Sequence, residues 1–301
     1  MICKKTLTLL LIFLCSNLIY SQEEDLFAEL DALSPPEAVE VIAVFKSTRV
    51  LFSQSTERVK KKQLQFRVSH LFNDISSGPR NFFGLDDLTN MHLSFDWGVT
   101  DRIQLGLART NKPDKTFQFS SKFSLMRQSK GPKSFPISIS LYGGLDVKTV
   151  KYFPKARDED FVGRIDYVSM LLISRKFSKK FSLQLSPSYL HRNVTEFAYE
   201  PNDLLSIGIG GRFMLDEHVS VNGEYFHALA GKGFKPDFRK NVINIGIDIE
   251  TGGHVFQLYL SNATALHPGK FLKNDNKDFL NGQIQFGFSI MREFTLKRRK
   301  K

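Results

Sequence analysis

From residue 63 onward the chain alternates apolar and polar positions with period two. In the stretch MHLSFDWGVTDRIQLGLART (91–110), Met91, Leu93, Phe95, Trp97 and Val99 share one face while His92, Ser94, Asp96 and Gly98 share the other. After Thr100-Asp101 the alternation resumes, with Ile103, Leu105 and Leu107 opposite Gln104, Gly106 and Ala108. Such a pattern predicts a two-faced β-hairpin. Twelve runs share this character, at about 64–72, 89–99, 102–110, 115–127, 136–149, 164–177, 181–192, 203–215, 219–228, 241–251, 254–262 and 281–294. No long helical period follows residue 21.

The connections are of two kinds. Thr100-Asp101, SKK (178–180), DEH (216–218) and Gly252-Gly253 are hairpin turns, and 129–135 is a longer turn of the same set. The alternating connections 73–88, 151–163, 193–202, 229–240 and 263–280 are long, and 111–114 is a short member of that group. Short turns at one end and long loops at the other, with an even strand count, describe an up-and-down transmembrane barrel of the bacterial outer membrane. Twelve strands would return both termini to the periplasm.

A soluble barrel would alternate in the same way, with its apolar face inward. Eight strands leave an interior that side chains just fill, so twelve would be hard to fill with a dry apolar core. The apolar face is therefore expected to meet lipid, where a closed sheet pairs every backbone group. Trp97, Phe177, Phe181 and Phe294 fall at strand ends, as an aromatic girdle would. The expected fold is all-β: a closed antiparallel transmembrane barrel of about twelve strands with a short N-terminal helix or arm.

Composition adds the flanking segments. The chain has 42 Lys and Arg against 31 Asp and Glu, and both cysteines, Cys3 and Cys15, lie within a signal-like segment, 1–21, in which Lys4-Lys5 precede an apolar stretch too short to span a bilayer. A mature chain without cysteine has no disulfide and no thiolate-bound metal. Residues 22–62 form an N-terminal arm that is acidic from Glu23 to Glu40, either a solvated leader or, with AVEVIAVFKSTRVLF (38–52), an element tucked into a pore. The barrel is expected over 63–295 and a basic tail over 296–301. Lys60-Lys61-Lys62 and the tail KRRKK (297–301) would flank the barrel as solvated charges; with no stacking platform or recognition fold, no nucleic-acid partner is expected.

The stretches FKSTRV (45–50), SHLF (69–72), FGLDD (83–87), GVTDRI (98–103) and GLARTNK (106–112) resemble an uncharacterised β-barrel family, a domain of unknown function, from Bacteroidota outer membranes. The resemblance covers about residues 40 to 294. It implies an outer-membrane barrel and carries over no activity and no binding residue.

Within that frame the polar parity lists the lumen. The candidates that would line it are Arg67, His92, Asp96, Lys122, Asp146, Lys148, Glu224 and Asp248, set among Gln65, Ser69, Ser94, Gln118, Ser140, Gln184, Asn222, Asn244 and Ser289. This wall of mixed sign suits either a small-solute passage or an internal ion-pair network that blocks one. The sixth strand departs from the pattern, because Val168, Met170 and Leu172 make its inner parity apolar too, so a cover is expected there: the segment 41–52 or a loop.

Other chemistry was weighed. The seven histidines lack metal-ligand spacing, and no cofactor is expected. GIGGRF (208–213) has strand on both sides and no following helix, so its glycines give room or curvature to the wall rather than a phosphate site. His92 and Ser94 could seed a lipid hydrolase, but their parity is lumenal. No catalytic, cofactor or metal residue is assigned. The last strand, with Ile284, Phe286, Phe288 and Ile290 and a late Phe294, is similar to strands read by the outer-membrane assembly machinery. The expected function is a narrow porin-like channel for small solutes or ions, set in outer-membrane lipid. The alternative is a non-conducting barrel that serves as a binding or structural platform, with lipid hydrolysis a distant third.

Overall fold

The computed structural model describes residues 38–112, 114–150, 161–195, 200–229, 240–273 and 277–296, apart from the side chain of Thr89. The signal-like segment, the acidic run up to residue 37 and the tail 297–301 lie outside the described residues. The chain divides into two compact units, of which the smaller is described at 38–39 and 130–134, and the larger, Glu40–Ser129 with Phe135–Lys301, holds the barrel.

Twelve strands close into one antiparallel barrel in simple chain order. They are β1 (Gln63–Asp74), β2 (Leu88–Gly98), β3 (Ile103–Thr110), β4 (Thr116–Met126), β5 (Ser138–Lys148), β6 (Ile165–Lys176), β7 (Phe181–Arg192), β8 (Asp203–Met214), β9 (Val219–Ala228), β10 (Val242–Thr251), β11 (His254–Ser261) and β12 (Gln285–Thr295). β12 pairs with β1 through Ser289↔Ser69 and Met291↔Arg67, so no strand is left as an edge.

At one end, the turn end, the connections are 99–102, 127–137, 177–180, 215–218 and 252–253; the longer loops gather at the other, the loop end. Several turns are fixed by one polar side chain at their start. Thr100 Oγ1 accepts the N–H groups of Arg102 and Ile103 at 3.1 and 3.0 Å, and Asp216 Oδ1 those of His218 and Val219 at 2.7 Å each. Gly252 and Gly253 both adopt positive φ, 49° and 87°, as the tightest hairpin connection requires.

The two faces sort as period two predicts. Outward positions expose Phe95, Leu107, Phe119, Leu205, Ile209 and Ile245, whereas their neighbours Ser94, Asp96, Gln118, Ser206 and Asn244 are buried inside. Trp97, Phe177, Phe181 and Phe294 are exposed at the turn end, and Tyr167, Tyr189 and Tyr225 toward the loop end. Two aromatic bands thus bracket the apolar wall, the arrangement expected at two membrane interfaces.

The polar parity does face inward, yet the axis is not an open aqueous space, because two inserted segments fill what wall side chains cannot. A layer near the loop end is apolar: Met170, Leu172, Leu190, Leu204, Phe226 and Tyr259 point inward and pack with Leu51 and Phe52 of the N-terminal segment and Phe271 and Leu272 of a loop. The apolar inner face of β6 is one side of this layer, and its cover comes from both candidate sources.

Candidate functional site: a lumen filled from both ends

Residues 41–59 enter at the turn end and return to it, where β1 begins. On the way in, Val41 N–H donates to the Gln128 carbonyl at 2.7 Å; on the way out, Lys62 N–H donates to the Gly98 carbonyl at 2.9 Å. Between them the chain turns back on itself, with Val50 N–H on the Ser53 carbonyl at 3.0 Å and Ser55 N–H on the Thr48 carbonyl at 2.9 Å. The tip of this hairpin is Leu51-Phe52, both buried.

Glu224 of β9 holds the tip. Its carboxylate accepts the backbone N–H groups of Leu51, Phe52 and Ser53 at 3.3, 2.9 and 3.1 Å, and also the Ser53 hydroxyl and the Asn244 amide. A buried negative charge is tolerable here because several donors converge on it. Other wall side chains treat the hairpin backbone the same way. Lys122 Nζ donates to the carbonyls of Thr48 (3.0 Å) and Glu57 (2.8 Å), Arg212 Nη2 to that of Ala43 (2.9 Å), and Gln257 Nε2 to that of Val50 (2.9 Å). Gln184 and Gln104 complete the set through Thr56 N–H, the Gln54 carbonyl and Val59 N–H.

Close approach depends on missing side chains in the wall. A Cβ on Gly246 would lie 2.8 Å from Leu51 Cδ2, and one on Gly210 would lie 3.4 Å from Val50 Cγ2. Of the glycines in GIGGRF, Gly210 faces the hairpin and Gly208 makes room for the Phe226 ring, while Arg212 of that motif grips the hairpin.

From the loop end a second segment, 262–273, folds into the barrel. A single helical turn, Pro268–Phe271, is wholly buried and lies against β6. The side chains of this segment reach two carboxylates of the loop-end connections, Lys270 Nζ to Asp114 at 3.0 Å and Lys273 Nζ to Glu200 at 3.6 Å, and His267 Nε2 lies 3.7 Å from Asp146 on β5. Glu200 also pairs with Arg192 at 2.9 Å, and Lys148 with Asp166 at 2.7 Å. Phe271 packs 5.1 Å from the ring of Phe226 and 6.4 Å from that of Phe52, so the two inserts meet tip to tip.

All eight residues expected on the lumen wall are buried and face inward. They divide between the two inserts. Lys122 and Glu224 contact the hairpin directly; Arg67 joins it through Ser47 and Gln257 (2.7 Å), and Asp248 accepts from Gln257 at 2.8 Å. Asp96 lies on the same inner face. Asp146 meets the loop through His267, and His92 reaches Asp146 through Gln118, with contacts of 2.7 and 2.9 Å. Lys148 belongs to the ion pairs beside the loop. His92 and Ser94 face the lumen rather than lipid, which is the wrong side for a lipid hydrolase.

Parity alone left Gln257, Arg212 and Asp166 unnamed, although each stands on its strand's inner register and was detectable by the same rule. Lys270 and His267 carried no signal, since nothing in a loop's composition says that it folds inward. Among the described residues no cluster of His, Cys, Asp and Glu has the arrangement of a metal site.

The comparisons follow this geometry. An outer membrane channel from Pseudomonas putida F1 superposes with a TM-score of 0.51 at 12% identity, over 79% of this chain and 98% of that one. The KdgM porin (TM-score 0.49, 6% identity, 77% and 99% coverage) and the NanC porin (0.48, 6%, 77% and 98%) are also similar. No curated protein matches. The Pseudomonas channel shares the barrel fold of this chain. A family model described as "Membrane bound beta barrel domain (DUF5777)" matches residues 45–294, from the hairpin through the last strand, and the chain belongs to that family.

Proposed function

We propose that this protein is an outer-membrane channel for small solutes or ions that rests closed, with both termini on the periplasmic side. The observation that carries the reading is how the lumen is closed. Polar wall side chains grip the hairpin through hydrogen bonds to its backbone, and water can replace each of those bonds once the hairpin withdraws. Arg67, His92, Asp96, Lys122, Asp146, Lys148, Glu224 and Asp248 then line the opened path, and their mixed signs favour small polar or zwitterionic solutes over a single ion type.

The apolar layer at Phe52, Phe226 and Phe271 favours the second reading, a non-conducting barrel that serves as a platform, because a dry septum resists wetting. Planar-bilayer recording separates the two. The intact chain is expected to be silent, deletion of 43–58 or of 264–272 to give small or rare steps, and deletion of both to give regular discrete steps. Silence from the double deletion, in protein that still migrates as a compact barrel before boiling, overturns the channel. The outward Phe286, Phe288 and Ile290 of β12, followed by Phe294, support delivery by the outer-membrane assembly machinery into lipid.

A further inference from the structure

The lipid-facing side of β6, β7 and β8 carries an apolar groove, lined by Ile137, Ile173, Leu183, Leu185 and Ile209. Cross-strand pairing sets these side chains on two rungs: Arg175 opposite Leu183 at the turn end, and one rung deeper Ile173, Leu185 and Ile209 side by side. Arg175 and Phe177 stand at its turn-end mouth, with the guanidinium carbon 5.1 Å from the ring centre. The next turn adds Lys179 and Lys180, both exposed, and among the described residues no ion pair engages any of these three cations.

Three unpaired cations above a greasy channel of fixed direction form an asymmetric feature. An aromatic ring at an interface marks headgroup depth. Long basic side chains there turn their charge toward the headgroups while their stems stay in the apolar layer. The groove crosses β6, β7 and β8 one rung deeper than Arg175 and Leu183, on the acyl side of these cations. We propose that it is a binding site for one anionic phospholipid, with the phosphate held by Arg175, Lys179 and Lys180 and one acyl chain laid along Ile173, Leu185 and Ile209. It rests on the membrane reading of the barrel and is independent of whether the lumen conducts.

The test is lipid titration of the full chain in non-ionic detergent, read by native mass spectrometry. Phosphatidylglycerol is expected to bind more tightly than phosphatidylcholine of equal chain length, each interfacial cation contributing about fivefold. The triple variant R175Q/K179Q/K180Q loses that preference, whereas R109Q at the opposite rim keeps it. I209W fills the groove and lowers occupancy by both lipids. Water-soluble glycerol phosphate does not compete. An unchanged preference in the triple variant overturns the site, as does equal competition by glycerol phosphate, which would mean a headgroup anion site alone. Mass shifts that report a second copy of the chain instead of lipid also overturn it. None of these variants lies in the lumen, so failure here and failure of the channel are read separately.

Discussion

The inner hairpin is gripped mainly by its backbone, and the outer loop by its own side chains. Around 48–56 the wall supplies Glu224, Lys122, Gln184 and Gln257, and the hairpin offers N–H and C=O groups that any residue would offer. Around 262–273 the donors are Lys270 and Lys273, and the neighbouring loop-end connections supply the carboxylates of Asp114 and Glu200. The first grip falls mostly on the backbone of the insert, with Thr48 and Ser53 adding side-chain bonds to Gln65 and Glu224. The second depends on both partners, on ionic strength and on pH. One barrel therefore holds two closures with different sensitivities, and only the apolar layer between them is common.

Removing the shared element has the largest expected effect. Phe271→Ala takes away a buried ring that touches both Phe226 and Phe52 and is expected to loosen both inserts by about 3–5 kcal/mol. Amide hydrogen exchange that speeds up in only one of them breaks the symmetry claimed for the septum.

Glu224→Ala comes next and is selective. Three buried N–H groups lose their acceptor, at about 1–3 kcal/mol for an unsatisfied buried group, so exchange at Leu51, Phe52 and Ser53 is expected to accelerate at least tenfold while the loop is unchanged. Equal acceleration at Phe271 and Leu272 contradicts independent grips.

The outer loop answers to acid. Burial, and after it the ammonium of Lys270, hold the His267 imidazole down to about 3. A released loop would titrate near the ordinary 6.5, so it takes up a proton that the seated loop refuses. Seating is thus at full strength above about pH 6.5 and weakens as pH falls from there toward 3. Asp146, Lys270, Lys148 and Arg49 are the charged groups around it. Protease accessibility of the loop, followed from pH 7.5 to 5, is expected to rise, and His267→Gln to flatten the rise.

Smallest is Lys270→Gln, expected to cost about 1 kcal/mol of loop seating, an effect that shrinks as salt rises from 0.05 to about 0.5 M. Combined with Glu224→Ala, the two losses should add within about 0.5 kcal/mol. A larger coupling would mean that the closures act as one.

Most of the wall was legible in the residues, because a strand with one face in lipid and one in a polar interior must alternate. Leu205, Ile207 and Ile209 announce that face without any partner being known. The filling was legible only in outline. Val44, Phe45, Val50 and Leu51 show that something apolar precedes the barrel, but its seat lies against Gly210 and Gly246, on strands far from it in sequence that flank β9. The apolar inner parity of β6 called for a cover, but nothing in the residues marked Leu266 and Phe271 as part of it, since a loop's fate is set by what the far wall offers: Phe226, Leu190 and Met170, each of which reads in isolation as a lapse in an otherwise polar parity.

The hairpin enters and leaves by the same rim, and the outer loop does likewise at its own. Neither is threaded through the wall, so sealing β12 against β1 traps no free end. Biogenesis is thereby relieved of an ordering problem: the cylinder can be stitched shut while still hollow, and the two stoppers seated afterwards from opposite sides, each withdrawn and replaced without unzipping a single strand.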